Sequence, residues 1–285
     1  MSAQTPRYQV PALSRGLELL LQFSRREPEL NGAELSRRLA LPRASVFRML
    51  QTLEKMGFVE RVGESASYRL GIGVLRLGFE YLASMELTEH GRPVIEALRD
   101  QTGYSAHLVV LDSAEVVFVA KAAGRSAIFN SVQVGARLPA HATVLGRLLL
   151  GGKSTQQLAA LYAGQTLKAY TERTPTSLAQ LKKLIDTEAR QGYAISEGGF
   201  ESGISVVAAP VRDDKGLVAA AISVTVPAQQ IKPALASTLV VEVRAAADRL
   251  AQRLSRQPGN SAGTAPTIAA GTRPAKAKEP ETSTS

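Results

Sequence analysis

The sequence has no cysteine, only three histidines in 285 residues, and no apolar run approaching the roughly 18 to 20 residues that span a bilayer. Without cysteine there is no disulfide, no thiolate nucleophile and no cysteine metal site, and a reducing cytoplasm is the natural setting. His90, His107 and His141 are scattered, and neither an HExxH nor an HxE pattern occurs, so no metal is expected. Residues 1–20 lack an uninterrupted apolar stretch ahead of a cleavage site, so no secretory leader is expected. The expectation is a soluble, cytoplasmic chain with no membrane partner.

Two glycine patterns imitate nucleotide sites and fail on spacing. A GxxxxGKS loop ending at Lys153 and Ser154 needs glycine at position 147, which is Arg147. Gly71 and Gly73 open a dinucleotide fingerprint, but Arg76 stands where its third glycine belongs and no βαβ context surrounds it. No cofactor is expected. A hydrolase GxSxG elbow is also missing.

What the chain does have is apolar content, 45% of its residues, which over this length is enough for cores in two domains. The formal charge is +9, with 12 basic against 8 acidic residues up to position 85, 19 against 15 over 86–256 and 3 against 2 beyond. The N-terminal part therefore concentrates the excess on about half as many residues, favouring it as the polyanion-binding part.

The stretch 31–60 organises that part. Asn31 and Glu34 have the spacing of an N-cap with a reciprocal acidic partner, Leu35 and Leu39 repeat at a helical interval, and a turn follows at Leu41 and Pro42. Val46, Met49, Leu50 and Leu53 then make one apolar face of a second helix. Its other face carries Arg43, Ala44, Ser45, Arg48, Gln51, Thr52 and Lys55, with Glu54 the one carboxylate neighbour. Cations gain by counterion release near phosphates, and Arg, Gln and Ser can reach base edges, so this surface suits DNA. Gly57 is placed to end the helix, and Phe58 to Arg61, a turn over 62–67 and Tyr68 to Leu70 form a hairpin. Together these predict a winged helix-turn-helix with helix 43–56 in the major groove. Phe47 joins the predicted interface, and Arg61 or Arg69 lies near the DNA backbone. The competing reading is an αα-hairpin that only packs.

Around this unit, residues 1–9 form a loose leader, and Leu13, Leu17, Leu20 and Leu21 give a first helix packed beneath it. The winged unit spans 10–71. A linker helix over 72–86 is apolar on more than one side, with Leu75, Phe79 and Leu82 flanked by Val74, Leu77 and Tyr81. Self-association covers such a helix and pairs two recognition helices on a palindrome. From 87 to 256 helix and strand alternate: a helix capped by Thr88, a hairpin at 106–111 and 116–120, a third strand near 128–132 and a loop over 135–143. A helix at 144–150, two more near 155–162 and 177–191, a strand beginning at 192–195, a long hairpin at 204–211 and 217–226 and a closing helix from 228 follow. The fold class is α+β, an antiparallel sheet with helices on its faces. Residues 257–285 are nearly devoid of large aliphatics and are predicted to be disordered.

The segment LPRASVFRMLQTLEKMGFVE followed by YRLGIGVLRLG closely resembles the DNA-binding domain of the IclR family of bacterial transcriptional regulators. GARLPAHATVLGRLLL, GYAISEGGFESGISVVAAPV and AAISVTVP resemble that family's effector domain, in the same order. The resemblance covers about residues 10–255. It departs at Ala40, where the family commonly has glycine, at Ala44-Ser45, where it has two hydroxyl residues, and at Arg147, where it has lysine.

The resemblance implies a GAF-like effector domain, a homodimer or a dimer of dimers, and double-stranded operator DNA as partner. It further implies a small organic acid or related catabolite as effector, held by His141, Ala142, Thr143, Glu197, Ser223 and Thr225. The residues agree in part: His141 and Thr143 precede a helix start that would attract a carboxylate, and Ser223 and Thr225 alternate onto one strand face. Glu197, Glu201 and the glycines between 198 and 203 make a loop able to close over such a site. The alternative is a hydrolase-like enzyme using His141 and Glu197 as an acid–base pair. His107, among apolar neighbours, reads as a core residue, and His90 as an exposed one.

Overall fold

The computed structural model describes residues 10–24, 27–63, 65–124 and 132–255. The predicted leader, the predicted tail and almost all of the predicted strand near 128–132 lie outside them. The chain divides into two units that meet at Ser84 and Met85.

The N-terminal unit runs α1 (Pro11–Leu20), β1 (Leu30–Asn31), α2 (Gly32–Leu39), α3 (Arg43–Lys55), β2 (Val59–Arg61), β3 (Ser67–Leu70) and α4 (Gly73–Ser84). Asn31 starts α2 as the sequence predicts, its Oδ1 accepting from the Glu34 N–H at 2.8 Å. The Glu34 carboxylate does not reach back to the cap; it pairs with Arg37 and Arg38 instead. α3 starts after Pro42 and buries Val46 and Leu50 against Leu19, Phe23, Leu30, Leu35, Val59 and Tyr68. β2 and β3 form the wing hairpin, and β1, a strand the sequence reading did not foresee, pairs with the outer side of β3.

One detail departs from expectation. In α1 the stripe expected to pack inward is mostly outside: Leu13, Leu17 and Leu21 are 62%, 54% and 72% exposed, and Leu19 fills the core. Helical spacing identifies an apolar face but not which of two such faces meets the rest of the unit. The α2–α3 turn places Ala40 at φ 52°, ψ 40°, a left-handed conformation that a side chain with Cβ rarely adopts.

The C-terminal unit runs α5 (Glu86–Thr102), β4 (Ser105–Asp112), β5 (Glu115–Ala122), β6 (Arg137–Pro139), α6 (Val144–Leu149), α7 (Thr155–Leu161), α8 (Leu178–Gln191), β7 (Ala194–Glu197), β8 (Ile204–Arg212), β9 (Val218–Pro227) and α9 (Pro233–Ser255). Its six strands form one antiparallel sheet in the order β6-β5-β4-β9-β8-β7. α5 and α9 cover one face; α6 lies on the other, backed by α8. A glycine sets the first contact, because a Cβ on Gly91 of α5 would stand 2.4 Å from the Leu108 side chain of β4.

Here too the structure corrects the reading. α5 starts after Met85, and Thr88, the expected cap, is buried inside its first turn with a hydroxyl that has no partner among the described residues. The predicted loop over 135–143 contains strand β6, which pairs with β5 at Val116 and Leu138. Three residues are too short a run to show alternation. The closing helix begins at Pro233 after a 3-10 turn at Ala228–Gln230, the proline supplying a preset φ at a first helical position where its missing N–H costs nothing. His90 is half-buried.

Candidate functional site

In the N-terminal unit, α3 presents Arg43, Ala44, Phe47, Arg48, Gln51, Thr52 and Lys55 to solvent, with Ser45 half-buried. Among the described residues Arg43, Arg48 and Lys55 make no ion pair. Their neighbours differ: Arg37 and Arg38 are held by Glu34, and Arg38 also by Glu27. In the wing, Arg69 Nε lies 2.5 Å from Glu60, while Arg61 lies 3.4 Å from Glu54 and packs over the Tyr68 ring. The uncompensated positive charge therefore sits on the helix and not on the wing. The Thr52 hydroxyl donates to the Arg48 carbonyl at 2.9 Å, which leaves its oxygen lone pairs facing outward.

The glycine pair that imitates a dinucleotide fingerprint has a structural task here. A Cβ on Gly71 or Gly73 would come within 2.4 and 2.6 Å of the Gly57 carbonyl oxygen, and the Gly73 N–H donates to that oxygen at 2.8 Å. The exit from the wing passes directly over the turn that ends α3, which locks wing and helix together.

In the C-terminal unit the predicted effector residues fall into three places. His141, Ala142 and Thr143 are buried in the β6–α6 turn. Thr143 caps α6, its Oγ1 accepting from Gly146 N–H at 3.1 Å, and the His141 ring nitrogen Nε2 lies 3.0 Å from the Lys168 carbonyl. The same ring sits edge-on to Tyr162 and 6.2 Å from Tyr170, which in turn stacks on Phe200 at 4.8 Å. Burial raises the Tyr162 phenol well above its ordinary range, a shift the nearby backbone of His141 only partly offsets.

Ser223 and Thr225 stand on the face of β9 that also carries α6. Antiparallel register sets His107 of β4 opposite Ser223, and Lys121 of β5 opposite His107. Thr225 Oγ1 approaches His107 Nδ1 at 3.5 Å, Phe118 meets the imidazole edge-on, and the Ser223 hydroxyl is fully buried with no hydrogen-bond partner among the described residues. Burial, aided by the Lys121 charge, depresses the His107 pKa to about 4 and keeps the ring neutral. Lys121 donates to the Val132 carbonyl at 2.6 Å and lines an open groove of about 480 Å³ with Ala123, Gln133 and Val134.

Glu197 is exposed at the end of β7, 3.9 Å from Arg173, whose guanidinium also donates to the Glu197 carbonyl at 2.6 Å. The loop after it is pinned. The Gly199 N–H donates to Ser196 Oγ, and the Thr171 and Thr174 hydroxyls donate to the Gly199 carbonyl at 3.0 and 3.1 Å. His141 and Glu197, paired in the enzyme alternative, are thus each held by other partners. Sequence reading missed His107 as a member of the polar cluster, and it missed the buried pair of Arg147 and Glu188. For His107 the available signal was its odd-numbered alternation with Ser105; for the ion pair there was none.

A winged-helix unit with an uncompensated cationic helix, followed by an α/β unit with a polar cluster buried on its sheet, defines a DNA-binding regulator with a ligand domain. The IclR helix-turn-helix domain matches residues 12–63, and the bacterial transcriptional regulator IclR C-terminal domain matches residues 79–252. The chain belongs to the IclR family of transcriptional regulators. It is 30% identical over 219 residues to the HTH-type transcriptional regulator XynR of Escherichia coli K12, covering 76% of this chain and 86% of that one. To the Pca regulon regulatory protein of Pseudomonas putida it is 33% identical over 215 residues, covering 75% and 73%. Among solved structures, a transcriptional regulator from Rhodococcus sp. RHA1 superposes with TM-score 0.75 at 32% identity, over 86% of this chain and 98% of that one. An IclR homologue from Microbacterium hydrocarbonoxydans, crystallised with 4-hydroxybenzoate, superposes with TM-score 0.73 at 26% identity, over 85% and 98%.

Proposed function

We propose that this regulator binds a palindromic operator as a cytoplasmic homodimer and controls a catabolic operon in response to a small carboxylate. The observation that carries the DNA reading is the contrast in charge pairing. Arg43, Arg48 and Lys55 on α3 are unpaired among the described residues, whereas the arginines of α2 and the wing are neutralised. An unpaired cationic stripe on a supported helix is stable in water and gains on meeting phosphates. Arg43, Ala44, Ser45, Phe47, Arg48, Gln51, Thr52 and Lys55 form the interface in this reading. Arg61 and Arg69 reach the DNA backbone only by exchanging their glutamate partners.

Self-association is supported by apolar surface. Val10, Leu13, Leu17 and Leu21 along α1, and Leu75, Leu77 and Phe79 on α4, are each 49% exposed or more. Surface of this kind on one small unit marks a protein interface. The ligand reading rests on the buried polar groups of the C-terminal unit and on a homologue that holds 4-hydroxybenzoate. His141, Ala142, Thr143, Ser223 and Thr225 are its binding residues, with Glu197 at the rim. Ligand binding shifts the dimer geometry and the spacing of the two α3 helices, a coupling of about 1 to 3 kcal/mol.

The decisive experiment is Arg48→Ala in a mobility-shift assay on the protein's own promoter DNA. A base-reading arginine is worth about 1 to 3 kcal/mol, so specific affinity drops roughly 5- to 150-fold while folding is untouched. Unchanged operator affinity removes Arg48 from the interface.

A further inference from the structure

The C-terminal unit buries more polar chemistry on the α6 face of its sheet than its internal hydrogen bonds use. Ser223 is 0% exposed, and its hydroxyl has no partner among the described residues, an arrangement that carries the desolvation penalty of an unmade bond. Directly across the β4–β9 register stands His107, 3% exposed, whose sole side-chain hydrogen bond among the described residues is the long 3.5 Å approach to Thr225. The next strand adds Lys121 opposite His107, at the wall of the groove that opens beside Ala123, Gln133 and Val134. An imidazole, two hydroxyls and an ammonium thus share one side of three adjacent strands, with Phe118 packed edge-on against the ring. A core residue of the same size would be served by leucine or phenylalanine, as at Phe118 and Leu108.

We propose that His107 is a ligand-contacting residue, donating a ring N–H to a carboxylate oxygen of the effector beside the hydroxyls of Ser223 and Thr225. This rests on the reading of the C-terminal unit as a carboxylate-binding domain and adds to it a residue on a strand remote in sequence from the 141–143 turn. This role uses one tautomer of the ring. With the Thr225 hydroxyl donating to Nδ1, the ring proton sits on Nε2, which has no acceptor among the described residues. The Ser223 hydroxyl offers the second donor from the opposite strand, and Lys121 brings positive charge to the same face. Burial keeps the ring neutral, so it acts as a directional donor and the charge on the ligand is balanced from the groove side.

Isothermal titration of the full-length protein tests this with benzoate, 4-hydroxybenzoate, pyruvate and succinate, and with benzamide and 4-hydroxybenzamide as uncharged counterparts. At least one of the carboxylates is expected to bind the wild type. His107→Phe, which keeps the ring and its packing on Phe118, then weakens it by roughly tenfold or more, the loss of one hydrogen bond to a charged group. His107→Gln, which keeps a donor, stays within about threefold of the wild type. The amides bind more weakly than their acids. A second readout needs no substitution at the site during binding: in protein labelled with ¹⁵N-histidine only three side chains report, and the His107 ring nitrogens shift on adding the bound acid. No carboxylate binding to the wild type, unchanged affinity in His107→Phe, or unmoved His107 resonances under saturating acid overturns the proposal. Operator binding is measured separately by mobility shift, so a protein that binds the acid but no DNA sinks the regulator reading and leaves the role of His107 standing.

Discussion

Arg147 on α6 and Glu188 on α8 form a buried ion pair, and separating its two members gives the sharpest test of how the ligand domain is held together. Their side chains are 8% and 10% exposed, and the guanidinium grips the carboxylate through Nε at 2.9 and 3.1 Å and Nη2 at 2.7 Å. Burial outweighs the arginine and lifts the Glu188 carboxyl above its ordinary value. The pair therefore carries a net desolvation penalty, and most of the cost of losing one partner comes from stranding the other. Arg147→Met or Glu188→Leu alone should destabilise the C-terminal unit by about 3 to 5 kcal/mol, whereas the double substitution should be neutral or stabilising. At about 2 to 4 °C per kcal/mol for a unit of this size, each single variant melts roughly 6 to 20 °C lower in scanning calorimetry.

The pH dependence has a definite sign. A carboxyl whose folded pKa is raised contributes stability that is complete below its unfolded value, near 4.5, and is lost as pH rises through the folded pKa. The advantage of the double variant should therefore be largest at neutral pH and shrink as the solution is acidified. A double variant as unstable as either single one would refute this account and make the pair a net source of stability.

Three further outcomes follow from individual residues. Ala40→Gly relieves a left-handed alanine at φ 52° and should stabilise the N-terminal unit by about 0.5 to 1 kcal/mol in urea titration; no gain would mean the turn is not strained. His107 is depressed from 6.5 to about 4, so its contribution, on the order of 3 kcal/mol, is complete above pH 6.5 and is lost as pH falls towards 4. His107→Gln should flatten that part of the stability profile, and an unchanged slope would assign it to other groups. Thr143→Val removes the α6 cap, costs about 1 kcal/mol in thermal unfolding and blunts the effector response in a reporter assay, whereas Thr143→Ser keeps both the cap and the response. A normal response in the valine variant would remove Thr143 from the ligand site.

Much of the N-terminal unit was legible in the sequence because its determinants are local. Asn31 caps α2 through an N–H three residues away, and α3 is defined by an apolar stripe within one helix, with Gly57 at φ 76° after it. What local pattern could not decide was the partner of each apolar face. Leu13 and Leu17 have the same spacing as a core stripe and yet face outward, because the unit is small enough for Leu19 and Phe23 to fill its centre. The strand β1 was invisible for a related reason, since its two residues pair with β3, 38 positions away at Leu30 and Tyr68.

In the C-terminal unit the same limit decides which site residues were found. Ser223 and Thr225 were assigned to one face from parity alone, which needs nothing beyond their own strand. Placing His107 with them requires the β4–β9 register, and that register is fixed by pairing across more than 110 positions of chain. A slip of one residue would turn His107 to the face covered by α5 and α9 and set Leu108 among the hydroxyls. The apolar residues forbid that slip: Leu108 packs towards Gly91 of α5, and Val109 joins the cluster under α6. The polar cluster is therefore aligned by the core that surrounds it. A volume change at Gly91 or Val109 should disturb ligand binding without touching a single ligand-facing group.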